Sequence, residues 1–429
     1  MSKYTFKGFI TSIKNYEIPF QISDGIVKFS LQSKSVLQHK NHGVLLSGVT
    51  DNNHQIHLLI NRFYEVGFKD CEEDGKEMII PAHIEGIVEA CAILDSGDIN
   101  DIDSIGFYSL AIPKITGQTI SGALNDNNSS WMGIKNTLGK FVLDNCEYRL
   151  SIGFVKNEPY YSGQLLELKT DGKFNINSMK ESYWLIKRFL TFLFQKTNVP
   201  MDEIYLRNNE KNIGQLFVER LEKSKISFFG IKCIRIRILE DKLGCLLQML
   251  ADKKIYLRHV PIFKDEENTY TPARFLMALC GLENTLDYMN IHVKHSEKHL
   301  SVTNKVKTKL KKLAEVSTSK EKRIYNRFIE DLDRDENLGS RIRISIEEDK
   351  EYISNFFSLN ILGDIKTIAK DLSDVRNKLA HGDLNFDLGL KANYQMHFLM
   401  LYILYLQLKM IGFDKKRASE IVPQIIFRH

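Results

Sequence analysis

The chain has 429 residues, of which 43% are hydrophobic and 26% charged, which is enough apolar material for two or three cores and excludes a disordered or fibrous protein. Its formal net charge of +5 is too mild to imply a nucleic-acid partner by itself. The six cysteines form no CxxC pair, and the opening "MSKYTFKGFI" lacks the long apolar stretch of a signal peptide, so the expectation is a reducing cytoplasm with free, mostly buried thiols.

Residues 1 to about 177 read as a β-rich domain. In "GIVKFSL", Val27, Phe29 and Leu31 share one face. "SGVTDNNHQIHLLI" predicts a hairpin turning at Asp51-Asn52-Asn53, and "LLELKTDGKFNI" a second around Asp171-Gly172. "EYRLSIGF" alternates with Tyr148, Leu150, Ile152 and Phe154 on one face. Many short strands predict a sandwich or open barrel. Ser121 to Trp131 is the most loop-like stretch.

Residues 178 to 265 read as a mixed, mainly helical connection. Ser178 with Glu181 suggests a capping box before "SYWLIKRFLTFLF". In "ISFFGIKCIRIRIL", Ile234, Ile236 and Ile238 alternate as in a strand. Leu243, Leu246, Leu247 and Leu250 then recur at helical spacing.

Residues 266 to 429 read as an all-helical domain, so the fold class is α+β with separate domains, strands before helices. Thr271-Pro272 is an N-cap and first-turn pair, followed by Phe275, Leu279, Leu282 and Leu286 in one stripe. Val302, Val306, Leu310 and Leu313 form another stripe, and Ser345 with Glu348 suggests a capping box before "EYISNFFSLNIL". Ile365, Ile368, Leu372, Val375 and Leu379 form a third. The run Phe398 to Leu406 is too short for the roughly 20 residues of a membrane span, and it predicts a central core helix. With no lipidation motif either, no membrane partner is expected.

GxxxxGK, GxGxxG and HExxH are all absent. "HIE" at His83 to Glu85 has no PCxxC to complete a zinc deaminase signature. His292, His295 and His299 share one helix face and could hold zinc, yet nothing around them supplies orienting partners; the plainer reading is a solvated helix end. Lys305, Lys307, Lys309, Lys311 and Lys312 lie in an acid-free stretch that is either the wet face of a helix or a phosphate-docking surface.

"DVRNKLAHGD", Asp374 to Asp383, is the most unusual stretch. On a helix from about 364 to 381, Arg376 lies about 60° from the centre of the apolar stripe, Asn377 about 160° and His381 about 200°. Asn377 and His381 therefore share an outward face, and Gly382 suits the helix end. The bland reading is a polar helix end with a cationic last turn.

"RNKLAHG" resembles the motif of the HEPN superfamily, whose ribonuclease members carry Arg-x4-6-His, often with Asn after Arg. "YTPARFLMALCGLENTLDYM" resembles the first core helix of HEPN domains of the ApeA type, ending near Glu283, and the β-rich half is similar to the ApeA N-terminal domain. The resemblance implies a HEPN helical bundle and a metal-independent, cofactor-free endoribonuclease. It would form 2′,3′-cyclic phosphate ends, with Arg376, His381 and Asn377 catalytic, Glu283 supporting, and the five lysines binding RNA. It further implies a bacterial cytoplasmic protein of anti-phage abortive infection that cuts host RNA, notably tRNA. Such a protein would act as a homodimer or higher oligomer, released by a phage-encoded trigger protein such as a virion component. The rival reading is a non-catalytic RNA-binding or dimerisation module with a structural Arg/His helix end.

Overall fold

The structure is a computed structural model, and it describes residues 5–12, 17–23, 25–29, 43–73, 76–117, 137–157, 161–197, 199–218, 232–261, 271–292, 297–333, 338–382, 389 and 391–425. The chain divides into two compact units, residues 1–253 and 254–429.

The first unit is built on one antiparallel sheet. Its strands are β1 (Thr5–Ile10), β2 (Ile18–Ser23), β3 (Ile26–Phe29), β4 (Val44–Thr50), β5 (Gln55–Glu73), β6 (Lys76–Leu94), β7 (Ser104–Tyr108), β8 (Thr137–Leu143), β9 (Cys146–Asn157), β10 (Tyr161–Thr170), β11 (Glu203–Asn208) and β12 (Lys211–Phe217). The order is β3-β2-β1-β4-β5-β6-β12-β11-β7-β10-β9-β8, with an added β3–β6 pairing. That pairing closes the first six strands into a barrel, not an open one. Strand β6 serves both parts: Ile84–Ile87 pair with β3, and Cys91–Leu94 pair with β12.

Burial alternates with the period of two that a one-sided strand requires. Ile18, Phe20 and Ile22 of β2, and Val27 and Phe29 of β3, point into a core completed by Ile56, Leu58, Ile60 and Ile84. Gly86 sits where a Cβ would fall 2.8 Å from Ile60 Cγ2 and 3.0 Å from Val27 Cγ1, so the barrel wall closes only around a glycine. The turn after β4 uses Asn53 at φ +62°, as the Asp-Asn-Asn signal suggests.

Helices α1 (Ile112–Thr116), α2 (Ile176–Phe194) and α3 (Leu243–Ala251) complete this unit. Helix α2 packs on β5 and β6, and α3, whose predicted leucines are buried, packs on β8 with Gly244, Leu247 and Gln248 against it. Several expectations are corrected here. Thr170 ends β10, and the chain passes through Asp171-Gly172 into the α2 cap, so no hairpin forms there. Asn175, not Ser178, is the α2 N-cap; Ser178 is its reciprocal partner three residues on, with Asn175 Oδ1 accepting from Ser178 N at 3.0 Å. Ile236–Ile238 form a 3₁₀ turn, so the isoleucine alternation there marks no strand. Among the five described cysteines only Cys91 is buried, so the thiols are not mostly buried. Leu31 and the stretch Ser121 to Trp131 lie outside the described residues, as does the side chain of Phe154.

The second unit is helical: α4 (Pro272–Tyr288), α5 (Glu297–Val316), α6 (Ser319–Asp333), α7 (Leu338–Ile353), α8 (Ile365–Ala380), α9 (Lys391–Met410) and α10 (Lys415–Ile421). Helix α9 is apolar nearly all round and packs on α4 and α10, with Phe398, Tyr402 and Tyr405 fully buried. Helix α8 packs on α4 and α7. Ser345 is not a cap: α7 begins at Leu338, and the buried Ser345 hydroxyl meets Tyr402 Oη at 2.6 Å. Among the described residues, no helix is long and apolar enough to cross a membrane.

Candidate functional site

The site rests on α8 and α4. Asp364 caps α8, its carboxylate accepting from Thr367 N at 2.8 Å, and these hydrogen bonds hold its carboxyl below the usual range. Ile368, Ala369, Leu372, Val375 and Leu379 bury the inner face; Ile365, the first residue of the predicted stripe, is half-buried. The helix ends as its sequence suggests. His381 is the C-cap, its N–H donating to Asn377 O at 3.0 Å, and Gly382 takes φ +82° while its N–H donates to Leu379 O at 3.1 Å. Asn377 and His381 are both exposed on the outward face.

Arg376 leaves the flank of α8 toward α4. Its Nη2 donates to Glu283 Oε2 at 3.1 Å, and about a third of each side chain remains exposed, at 33% and 32%. Among the described residues only Nη2 of the guanidinium is engaged, which leaves the Nη1 corner for an anion. Glu283 is thus brought to the motif, while its own helix is fixed by Thr271 Oγ1 accepting from Arg274 N and by the buried stripe Phe275, Leu279, Leu282 and Leu286.

Three neighbours had no distinguishing signal in the sequence. Cys280, one turn before Glu283, lies within electrostatic reach of both Glu283 and Arg376. Burial and then Glu283 push its thiol up, and Arg376 opposes them. The Tyr256 ring lies against Gly281, where a Cβ would come within 3.0 Å of it, and its hydroxyl reaches Met277 Sδ at 3.3 Å. Behind Tyr256, His259 is 1% exposed and stacks nearly parallel to that ring at 6.1 Å. Burial, helped by Arg274, pushes its imidazole down to about 4, so it is neutral at pH 7.

The remaining candidates are dispersed. Lys305, Lys309, Lys311 and Lys312 are exposed on α5 and Lys307 is half-buried; at helical spacing Lys305, Lys309 and Lys312 share one face within about 60°, and Lys307 and Lys311 lie on the opposite side. His292 is exposed, while His295 and the side chains of His299 and His83 lie outside the described residues.

Around α8, His381 lies five positions after Arg376, so they point about 140° apart, whereas Asn377 and His381 differ by about 40°. One copy of this helix presents an aimed cation and a proton-transfer group on different sides. No family model, curated protein or solved structure matches the chain.

Proposed function

We propose that the protein is an endoribonuclease of the HEPN type whose chemistry is carried by Arg376 and His381. The observation that carries this reading is the Arg376–Glu283 pair beside an exposed Asn377/His381 edge. A guanidinium in a purely structural role would engage more of its fork. Here, among the described residues, Nη2 is tied to a carboxylate and Nε is buried without a partner, which leaves Nη1 for an anion.

In the reaction a ribose 2′-oxygen attacks the adjacent phosphorus while the bond from phosphorus to the 5′-oxygen breaks. The 2′-proton leaves to a base, a proton is delivered to the departing oxygen, and the products are a 2′,3′-cyclic phosphate and a 5′-hydroxyl. His381 moves the proton. Arg376 carries charge that builds on the phosphorane oxygens, and Glu283 aims it. Asn377 orients the phosphate or the imidazole.

The wide angle between Arg376 and His381 on one helix favours a composite site, in which two copies of α8 face each other across a two-fold axis. The exposed α5 lysines supply a cationic approach for the RNA backbone. The wider reading is abortive infection: host RNA, tRNA foremost, is cut in the bacterial cytoplasm when a phage-encoded protein releases the site, and the β-barrel unit restrains or senses. No cofactor is called for.

The test is incubation of purified protein with total tRNA, with and without EDTA, followed by analysis of the ends. Cleavage that survives EDTA and leaves cyclic phosphates supports this reading. Cleavage abolished by EDTA shifts the assignment to a metal-dependent nuclease. RNA binding with no cleavage, unchanged when Arg376 and His381 are replaced after phage exposure, favours a non-catalytic module.

A further inference from the structure

The hairpin of α5 and α6 carries an apolar surface that the ribonuclease reading, which draws only on the α5 lysines, does not use. Among the described residues these two helices pack chiefly on each other. Their joint apolar side is nevertheless open: Val302, Val306, Leu313 and Val316 on α5, and Ile324 and Phe328 on α6, are between 39% and 84% exposed. Six large apolar side chains left in water on one supersecondary unit form a patch of the kind that marks an interaction site.

Helical geometry puts both sets on the same side. On α5 the stripe lies about 100° around the axis from Thr303, Lys307, Leu310 and Ala314, the less exposed positions that face α6. On α6, Ile324 and Phe328 lie about 90° from the half-buried Tyr325, Ile329 and Leu332. The short link at Ser317 and Thr318 makes the helices antiparallel, and for right-handed helices these two offsets then turn to one common side. Phe328 falls beside Val306, and Ile324 beside Leu313, so the patch is continuous.

Two further features say what fits it. First, positions 302, 306, 309, 313 and 316 step by four, three, four and three, the spacing of a coiled-coil seam, with Lys309 as its one charged member. A seam with that register accepts another helix; a lipid surface or an RNA backbone requires no such register. Second, residues 301–329 hold nine lysines and arginines against Glu315 and Glu321, a net +7 where the whole chain carries +5. A second copy would bring Lys309 and the basic flanks against their own kind. We infer that this face docks an amphipathic helix of a partner protein, one with an apolar seam and acidic flanks, whose carboxylates meet Lys309 and the neighbouring lysines. The inference stands apart from the ribonuclease reading, because its readout is binding and needs no RNA cleavage.

The experiment titrates the full chain against a synthetic peptide of about four heptads with Leu at the a and d positions and Glu at the flanking e and g positions. Fluorescence anisotropy is the readout. Two control peptides keep either the charge with a scrambled seam or the seam with Lys flanks. The expected result is binding of the first peptide at least about tenfold tighter than either control, weakened by salt and lost in Leu313→Glu and Phe328→Glu. Both changes fall on exposed positions, so circular dichroism should match the unmodified chain. Absence of binding, equal binding of a control, or binding unchanged in both variants overturns the inference. So does self-association, or binding to anionic vesicles or to RNA, that depends on Leu313 and Phe328, since each assigns the face to a different occupant.

Discussion

Arg376 on α8 and Glu283 on α4 meet at 3.1 Å although 93 positions separate them in the chain. The pair ties the motif helix to the first helix of its unit and sets where the guanidinium points. Because each side chain is about one-third exposed, water screens the interaction, and its contribution to stability is below about 1 kcal/mol. Its larger effect is on position.

Glu283→Gln therefore separates the two roles. The expected outcome is a melting temperature close to that of the unmodified protein, with RNA cleavage reduced roughly 10- to 100-fold through misplacement of Arg376. Thermal unfolding and single-turnover cleavage, run side by side, check it. A large loss of stability with undiminished cleavage contradicts a positioning role.

The buried carboxylate of Asp349 behaves in the opposite way. It is 1% exposed and holds Lys409 at 2.6 Å and Lys415 at 3.1 Å, joining α7 to α9 and α10. Asp349→Ala strands the largely buried Lys409, while Lys415 keeps Glu348 at 2.7 Å, and is expected to cost about 3–5 kcal/mol of stability. Denaturant unfolding measures this, and the loss should exceed that of Glu283→Ala several-fold.

Gly382 ends α8 at φ +82°, and among the described residues beyond its chain neighbours no atom lies within 4 Å of the place a Cβ would occupy. Gly382→Ala is thus a backbone effect alone, with an expected cost of about 1 kcal/mol. Gly382→Asn should recover part of it, because Asn tolerates the left-handed region. Comparing the unfolding midpoints of the two variants tests this, and the order Ala below Asn is the prediction.

His259 gives the second unit a pH dependence with a definite sign. Its folded value of about 4 lies below the unfolded value near 6.5. Above pH 6.5 both states are neutral and nothing changes. As pH falls from 6.5 toward 4 the unfolded chain takes up the proton first, so stability declines, on the order of 3 kcal/mol in full. His259→Phe, which retains the stacking on Tyr256, should flatten the difference in unfolding free energy between pH 7 and pH 4.5. An unchanged slope contradicts the assignment.

What the sequence made legible was local and periodic. The inner face of α8, its end at Gly382, the Thr271 cap of α4 and the Asp51–Asn53 turn all follow from short-range spacing, and each stands in the structure. Short motifs failed where tertiary contacts competed for the same groups. Ser345 has a capping spacing to Glu348, but its hydroxyl is taken by Tyr402 inside a longer helix. Asp171-Gly172 has turn chemistry, but Asn175 captures the following residues for α2. Periodicity also cannot say whether a stripe is covered: Val302, Val306 and Leu313 keep helical spacing and remain exposed. At the site, the outward Asn377/His381 edge was derivable from a 100° step. The approach of Glu283 to Arg376 depends on how α4 packs against α8, which no local pattern encodes.

The central claim is that Arg376 and His381 cut RNA, and its most direct measurement is made in cells, where any restraint on the resting protein is released. Bacteria expressing the unmodified chain, Arg376→Ala or His381→Ala at matched levels are challenged with a phage that the unmodified chain restricts, and the tRNA 3′ ends are sequenced. The account predicts new 2′,3′-cyclic phosphate ends and protection with the unmodified chain, and neither with the two variants. Folded, equally expressed variants that still protect and still generate those ends contradict it.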